Sequence, residues 1–334
     1  MRVFLTGGGG FLGGWIARML LDQGCQVKLL VRNPGKSKLP SGAEVVKGDL
    51  SGAERLRQAV CGCEAVIHCA ARVGLWGPLS SYIEDNAMAT ARLLNAAKLE
   101  GVRYFVYTSS PSVVHGGENL FGIDETAPYS LDISQSYAYS KMLAERLVLM
   151  ENCRNFKTLA IRPHLIWGPG DPHLVPQLVE RADRGRLFLF SGGPYLVDAT
   201  YIENAAKAHA VALEKLAGGA AVDGEAFFIA QGQPMDINVL IARILEAAGA
   251  KAATRRIPKG LGLLGASLLE KIWKTLSLAS EPPVTVFTVK QLSTSHWFNL
   301  EKAKRLLDYR PWVSFEDGLE RLKDYYKNTK ADKR

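Results

Sequence analysis

The sequence predicts an α/β fold, a doubly wound parallel sheet with a smaller, mostly helical lobe toward the C-terminus. Three observations predict it. Short apolar runs alternate with segments of helical period over residues 3–162. A glycine cluster at residues 7–10 divides the first apolar run from the first helical one. Beyond Arg162 the alternation loosens, and Pro163, Pro169, Pro172, Pro176 and the Gly192-Gly193-Pro194 turn mark inserted loops and helices. A chain of 334 residues has length for roughly two domains. With 47% hydrophobic and 22% charged residues, disordered, collagenous and coiled-coil classes are excluded.

The elements follow in order. Residues 3–6 form the first strand, and residues 11–23 the first helix, with Trp15, Ile16, Met19 and Leu20 on one face and Gly24 as the stop. Strands follow at 27–31, 45–46 and 65–68, with a helix over 51–60. A long helix around 82–99, a strand at 103–108, a helix at 137–150 and a strand at 158–162 continue the pattern. Ala206, Ala210 and Leu213 predict a packed helix within 201–216, where the chain returns to the first domain. The first domain then comprises 1–165 and about 200–230, and the second lobe about 166–199 and 231–334. Within 260–279, Leu264, Leu268, Ile272 and Leu276 predict an amphipathic helix. Glu270 and Lys271 keep its apolar run well short of the roughly twenty residues that span a bilayer. Packing on its own domain is the expected use of that face, with contact to a membrane surface as the alternative.

Gly7, Gly10 and Gly13 stand between the first strand and the first helix. Such a loop turns tightly, lets a pyrophosphate approach the backbone and aims N–H groups and the positive helix end at it. The strand–loop–helix setting therefore predicts a Rossmann-type dinucleotide site. An acidic residue after the second strand would bind the adenosine ribose hydroxyls, but Arg32 stands there, followed by Lys36 and Lys38. Cations at that place suit a 2′-phosphate, so NADP(H) is preferred and NAD(H) stays open.

Tyr137 and Lys141 are one helical turn apart and project from one face. An adjacent ammonium is expected to lower the phenol's pKa from about 10, fitting it for proton exchange with a substrate oxygen. The same spacing recurs at Tyr326 and Lys330, so position decides: Tyr137 follows a strand ending in Thr108-Ser109-Ser110, at the carboxyl end where open α/β sheets bind ligands.

Together these residues resemble the extended short-chain dehydrogenase/reductases over most of the chain. The matching stretches are Thr6 to Gly13, Gly48-Asp49-Leu50, His68-Cys69-Ala70-Ala71, Thr108-Ser109-Ser110, Tyr137 with Lys141, Arg162-Pro163 and Gly168-Pro169-Gly170-Asp171. The resemblance implies that the first block, including Phe11 and Leu12, binds the pyrophosphate. It further implies that Asp49-Leu50 contacts adenine, that Ala70-Ala71 lines the cofactor cleft and that Pro163 lies near the nicotinamide. Ser110 matches the family's catalytic serine, with Ser109 as the second choice. The stretches Trp76-Gly77, Tyr107 to Val113, Pro163 to Asp171 and Val197 to Asn204 are similar to the 3β-hydroxysteroid dehydrogenase group, and within it to bacterial 2-alkyl-3-oxoalkanoate reductases. That resemblance implies reduction of a β-keto acid or related apolar ketone by NADPH. Tyr137 would donate the proton, Lys141 would hold the ribose and tune Tyr137, and Ser110 would hydrogen-bond the developing alkoxide. Dimerisation through the long helices is implied at the same level.

The remaining features narrow the field. Arg162, His164 and His173 are candidates to meet a substrate carboxylate, with His164 foremost because it follows the last strand. Trp76, Trp167, Phe188, Phe190 and Trp297 could line an apolar cleft but are expected mainly in the core. Asn86 is expected to order a water or backbone group near the site, or to be a polar core residue. No cluster has metal-ligand spacing. Five cysteines in an odd count suggest neither a disulfide framework nor a zinc knuckle, and the start of the chain does not read as a signal peptide, so a cytoplasmic setting is expected. The net charge of +8 sits in residues 251–334, which carry 17 basic and 9 acidic side chains. No aromatic platform interleaves with these cations, so no nucleic-acid partner is expected. A 3β-hydroxysteroid dehydrogenase, a nucleotide-sugar epimerase or dehydratase, and a non-catalytic NADPH-binding regulator are the rival readings.

Overall fold

Seven parallel strands form the central sheet of the computed structural model, which describes residues 1–331 apart from 37–38, 75, 253–254, 277 and 279. The strands are β1 (Arg2–Thr6), β2 (Gln26–Val31), β3 (Glu44–Lys47), β4 (Ala65–His68), β5 (Tyr104–Thr108), β6 (Lys157–Pro163) and β7 (Ala226–Ile229), in spatial order β7-β6-β5-β4-β1-β2-β3. This is the predicted doubly wound α/β fold. The winding reverses between β1 and β4, whose neighbours lie on opposite sides, so the crevice beyond the carboxyl ends of those two strands is the place for a ligand.

Period-two alternation sends successive residues to opposite faces. Val3 and Leu5 of β1, Ile67 of β4 and Val106 of β5 join the core beneath helices Phe11–Asp22 and Ile202–Ala217. Phe4, Val66, Phe105 and Tyr107 join the opposite core, beneath helices Ala53–Val60, Ala89–Leu99 and Ser136–Met150. Ala206, Ala210 and Leu213 are buried in the first of these cores, as their spacing predicts. The long helix predicted around 82–99 begins earlier, at Leu79–Tyr82, and carries a π segment, Ile83–Met88. The four-residue β7 has no pattern long enough to read beforehand; the return of the chain completes the sheet with it.

A further core gathers around Trp167, built by helices Leu174–Asp183, Ile237–Ala247 and Phe315–Ala331. Short strands lie outside the central sheet, among them Leu120–Ile123 paired with His296–Phe298. Asn204 ties down the segment before helix Phe315–Ala331: its Oδ1 accepts from Trp312 N and Val313 N, each at 2.9 Å, and its Nδ2 donates to Val313 O. One expectation needs correction. Helix Lys259–Thr275 touches its own domain through small residues, Gly262 and Ala266 being buried, while Leu264, Leu268, Ile272 and Leu276 face outward.

Arg162 on β6 is also placed otherwise than expected. It is 2% exposed and held by Glu145, with Nε at 3.0 Å from Oε2, and Tyr129 donates to the same carboxylate at 2.8 Å. It is therefore committed to Glu145, away from any substrate carboxylate. Losing one partner of such a pair leaves a buried charge unmatched. Glu145→Leu is expected to cost about 3–5 kcal/mol in urea unfolding, and Glu145→Leu with Arg162→Met to recover most of that loss.

Candidate functional site

A cavity of about 1050 Å³ lies along the carboxyl edge of the sheet, at the winding reversal. Its walls include Gly7, Gly10, Phe11, Leu12, Gly13, Arg32, Asp49, Leu50, Ala70, Ala71, Ser110, Tyr137, Lys141 and Pro163. Every residue singled out from the sequence for catalysis or cofactor contact is thus brought to one space, except Lys36. Lys36 ends the turn Pro34–Lys36, and its side chain and residue 38 lie outside the described part of the chain.

The glycine loop is a close-packed cradle. Gly7 has φ +74°, and a Cβ there would stand 2.8 Å from Ala70 N. A Cβ on Gly13 would stand 2.2 Å from Gly7 O, so the helix start can approach the loop only without a side chain. Gly10 N donates to Gly7 O at 2.9 Å, and helix Phe11–Asp22 begins at the next residue. Backbone N–H groups and the positive helix end border the cavity, which is what a pyrophosphate requires. Arg32 and Asp49 frame the cavity beyond the ends of β2 and β3. Asp49 accepts from Ser51 N at 2.9 Å and Ser51 Oγ at 2.5 Å, and these bonds hold its carboxyl below the usual range. Arg32 is exposed and has no carboxylate partner among the described residues.

A hydrogen-bond chain that the sequence did not announce braces this cradle. Ala70 N donates to Thr6 Oγ1 at 3.2 Å, and Thr6 lies 2.6 Å from His68 Nδ1. His68 Nε2 lies 2.9 Å from Thr90 Oγ1, which donates to Asn86 O at 2.6 Å. Thr90 spends its proton on Asn86, so His68 must donate from Nε2 and accept from Thr6 at Nδ1. Burial pushes the imidazole down to about 3, which keeps it neutral and fixes that direction. Asn86, inside the π segment, accepts from Arg72 N at 2.7 Å and donates to Arg72 O and to Ser140 Oγ. Ser140 donates to Tyr137 O at 2.8 Å, so one amide joins the cavity loop to the helix of Tyr137. Of the two uses expected for Asn86, it orders backbone.

Lys141 is buried, donates to Thr108 O at 2.5 Å and sits 4.2 Å from the centroid of the Tyr107 ring. Burial pushes its pKa down to about 7. Tyr137 is partly buried, and burial pushes its phenol up to about 12. The expected acidification by Lys141 is not seen with the protein groups alone: desolvation dominates, and the group pulling Tyr137 down is the Ser110 hydroxyl. Ser110 also accepts from Ser112 N at 3.2 Å and Ser112 Oγ at 2.9 Å, leaving it oriented toward the cavity wall. Ser109 lines the cavity as well, but its hydroxyl is buried without a partner among the described residues.

His173, rather than His164, stands among the described walls. His164 is buried edge-on to His296, 5.0 Å between centroids, and burial holds it well below its ordinary pKa. None of Trp76, Trp167, Phe188, Phe190 and Trp297 is among the described lining residues, and Trp167 is fully buried in its own core. Asp171, unremarked in the sequence beyond its motif, borders the cavity and caps helix Leu174–Asp183 by accepting from Val175 N at 2.8 Å.

Comparison with known proteins agrees with this architecture. A 2-alkyl-3-oxoalkanoate reductase of Stenotrophomonas maltophilia is 42% identical over 326 residues, covering 97% of this chain and 98% of that one. One of Shewanella oneidensis is 39% identical, covering 96% and 85%. Among solved structures, UDP-glucose 4-epimerase of Thermotoga maritima with UDP-glucose superposes with a TM-score of 0.77 at 22% identity, covering 98% and 99%, a likeness of fold. The model of the 3-beta hydroxysteroid dehydrogenase/isomerase family matches residues 4–259, and the chain belongs to that family of oxidoreductases, within the extended short-chain dehydrogenase/reductases.

Proposed function

We propose that this protein is an NADP(H)-dependent reductase of a 2-alkyl-3-oxoalkanoate, a β-keto acid, to its hydroxy acid. The single observation that carries the reading is the meeting of Ser110, Tyr137 and Lys141 with the glycine cradle in one cavity, in a chain 42% identical to a reductase of that name. The glycine cradle fits a dinucleotide because the close packing at Gly7 and Gly13, which tolerates no Cβ, brings loop backbone and helix start together at the cavity wall. The nicotinamide, when bound, supplies the hydride.

The chain's own residues do the rest. Backbone N–H groups at the start of helix Phe11–Asp22 would hold the pyrophosphate. Asp49 and Leu50, on the cavity wall, would border the adenine of a bound dinucleotide, and Ala70, Ala71 and Pro163 would line the path to its reacting end. Arg32, free of carboxylate partners among the described residues, suits a 2′-phosphate and favours NADP(H) over NAD(H). Tyr137 holds its proton at neutral pH and can give it to the carbonyl oxygen as negative charge develops there. Ser110, beside the phenol, donates to the same oxygen. Lys141, anchored on Thr108 O and lining the same cavity one helical turn from Tyr137, would hold the ribose of a bound dinucleotide. The exposed Arg32, in place of an acidic residue that would hold NAD, speaks against the sugar-nucleotide reading.

Three outcomes are expected. Tyr137→Phe should lower kcat for reduction of a 2-alkyl-3-oxo acid about 10²–10⁴-fold while NADPH still binds, read by loss of NADPH absorbance and by its fluorescence on binding. Turnover close to wild type would remove Tyr137 from the reaction. Arg32→Glu should raise KM for NADPH about 10–100-fold and leave NADH use unchanged or improved. An equal effect on both would dissociate Arg32 from the 2′-phosphate. The third outcome concerns pH. Lys141, held down to about 7, is charged below that pH and neutral above it, whereas Tyr137, pushed up to about 12, keeps its proton throughout. Reduction should therefore slow as pH rises through neutrality, and Lys141→Arg, which cannot deprotonate, should flatten the profile at lower overall rate. A profile identical in the two proteins would free the pH response from Lys141.

A further inference from the structure

Helix Lys259–Thr275 exposes an apolar stripe in a protein whose other long helices bury theirs. Leu261, Leu264, Leu268, Ile272 and Leu276 follow one another at spacings of three and four residues, which places them on one side of the helix. They are 62, 59, 53, 48 and 62% exposed, and Leu278 continues the stripe at 38%. Beneath, Gly262 and Ala266 let the backbone settle close to Phe190 and Val289, where a Cβ on Gly262 would stand 2.5 Å from the Phe190 ring. The fit below is close, so the outward leucines are not awaiting a place in the fold.

Charge says what the stripe meets. Residues 251–280 carry six basic side chains and one acidic one, Glu270, which is turned inward to accept from Val286 N at 2.8 Å. Lys271 and Lys274 are exposed on the helix itself, and Arg255 and Arg256 on the strand before it. Among the described residues none of these four is paired with a carboxylate. An exposed leucine row with unpaired cations along it is the pattern of a helix that lies in the headgroup region of an anionic bilayer.

The place of the helix adds a reason. Beyond its C-terminal end, Leu278 O accepts from Trp76 Nε1 at 3.4 Å, and Lys274 Nζ stands 5.9 Å from the Trp76 ring centroid. Trp76 belongs to the loop whose Arg72 and Val73 line the cavity. A bilayer in contact with the stripe would lie beside the wall of the catalytic cavity, where an alkyl chain could pass between lipid and protein without crossing water.

We propose that this protein docks reversibly on anionic membrane surfaces through the face Leu261-Leu264-Leu268-Ile272-Leu276 with its flanking cations, beside the wall of its active-site cavity. The docking reading stands on the surface alone and does not need the substrate assigned above. Sedimentation of the full chain with phosphatidylglycerol/phosphatidylcholine vesicles tests it, against phosphatidylcholine alone. The wild type should pellet with the anionic vesicles at least about tenfold more strongly than with neutral ones, and less as salt is raised. Leu264→Glu with Leu268→Glu should abolish pelleting, and Lys271→Glu with Lys274→Glu should erase the preference for anionic lipid. Both variants should keep wild-type turnover of a short-chain, water-soluble 3-oxo acid, which shows that they fold. Pelleting indifferent to these substitutions, or none by the wild type, overturns the proposal. So does a dimer seen in sedimentation velocity and lost in Leu264→Glu with Leu268→Glu, since the face would then belong to a second copy. A chain that docks as described yet reduces no β-keto acid would sink the functional reading and leave the docking one intact.

Discussion

The hydrogen bond from Lys141 Nζ to Thr108 O is the contact on which the site depends. It joins the helix that carries Tyr137 to the carboxyl end of β5, and so sets where the phenol stands relative to the crevice between β1 and β4. A primary amine buried at 2% exposure is costly unless its protons are used. The carbonyl and the Tyr107 ring face use them, and the residual cost appears as the fall of the lysine toward neutrality. A group that is held tightly and is half-willing to give up its charge is what a proton-transfer site needs.

Around that contact the polar interior is arranged with one direction. A neutral His68 flanked by two threonines allows one placement of its proton, and the choice carries from Ala70 at the cavity to Asn86 in the π segment. The extra residue of a π turn moves a side chain off the regular helical face. Here Asn86 reaches both Arg72 and Ser140, binding three chain segments that are far apart in sequence. Pre-set hydrogen bonds of this kind hold a wall still without spending mobile side chains on it.

Much of this was legible in the sequence, and the reasons are uneven. Strands such as Ala65–His68 and helices such as Phe11–Asp22 announce themselves through periodicity, because one face of each is buried against a broad core. That the glycine loop, Tyr137 and Lys141 meet at one cavity was legible from their places beside strand ends, whereas Ser110 was legible only through the family resemblance. What stayed hidden depends on partners distant in the chain. Arg162 looked available for a substrate until Glu145, on the facing helix, claimed it. His164 looked well placed until its ring turned into the lobe beside His296. The stripe on Lys259–Thr275 had the pattern of a buried face, and periodicity cannot tell which way an amphipathic helix is rotated.

The position of β7 has a consequence for how the molecule is made. This strand, Ala226–Ile229, joins the sheet edge beside β6 only after the chain has left for the second lobe and come back. During synthesis β6 therefore presents an unpaired rim through the emergence of more than sixty residues, an open template for foreign strands. The sheet is complete only when that excursion is finished, so a chain cut short of Ala226 would keep the rim of β6 open as an adhesive stub.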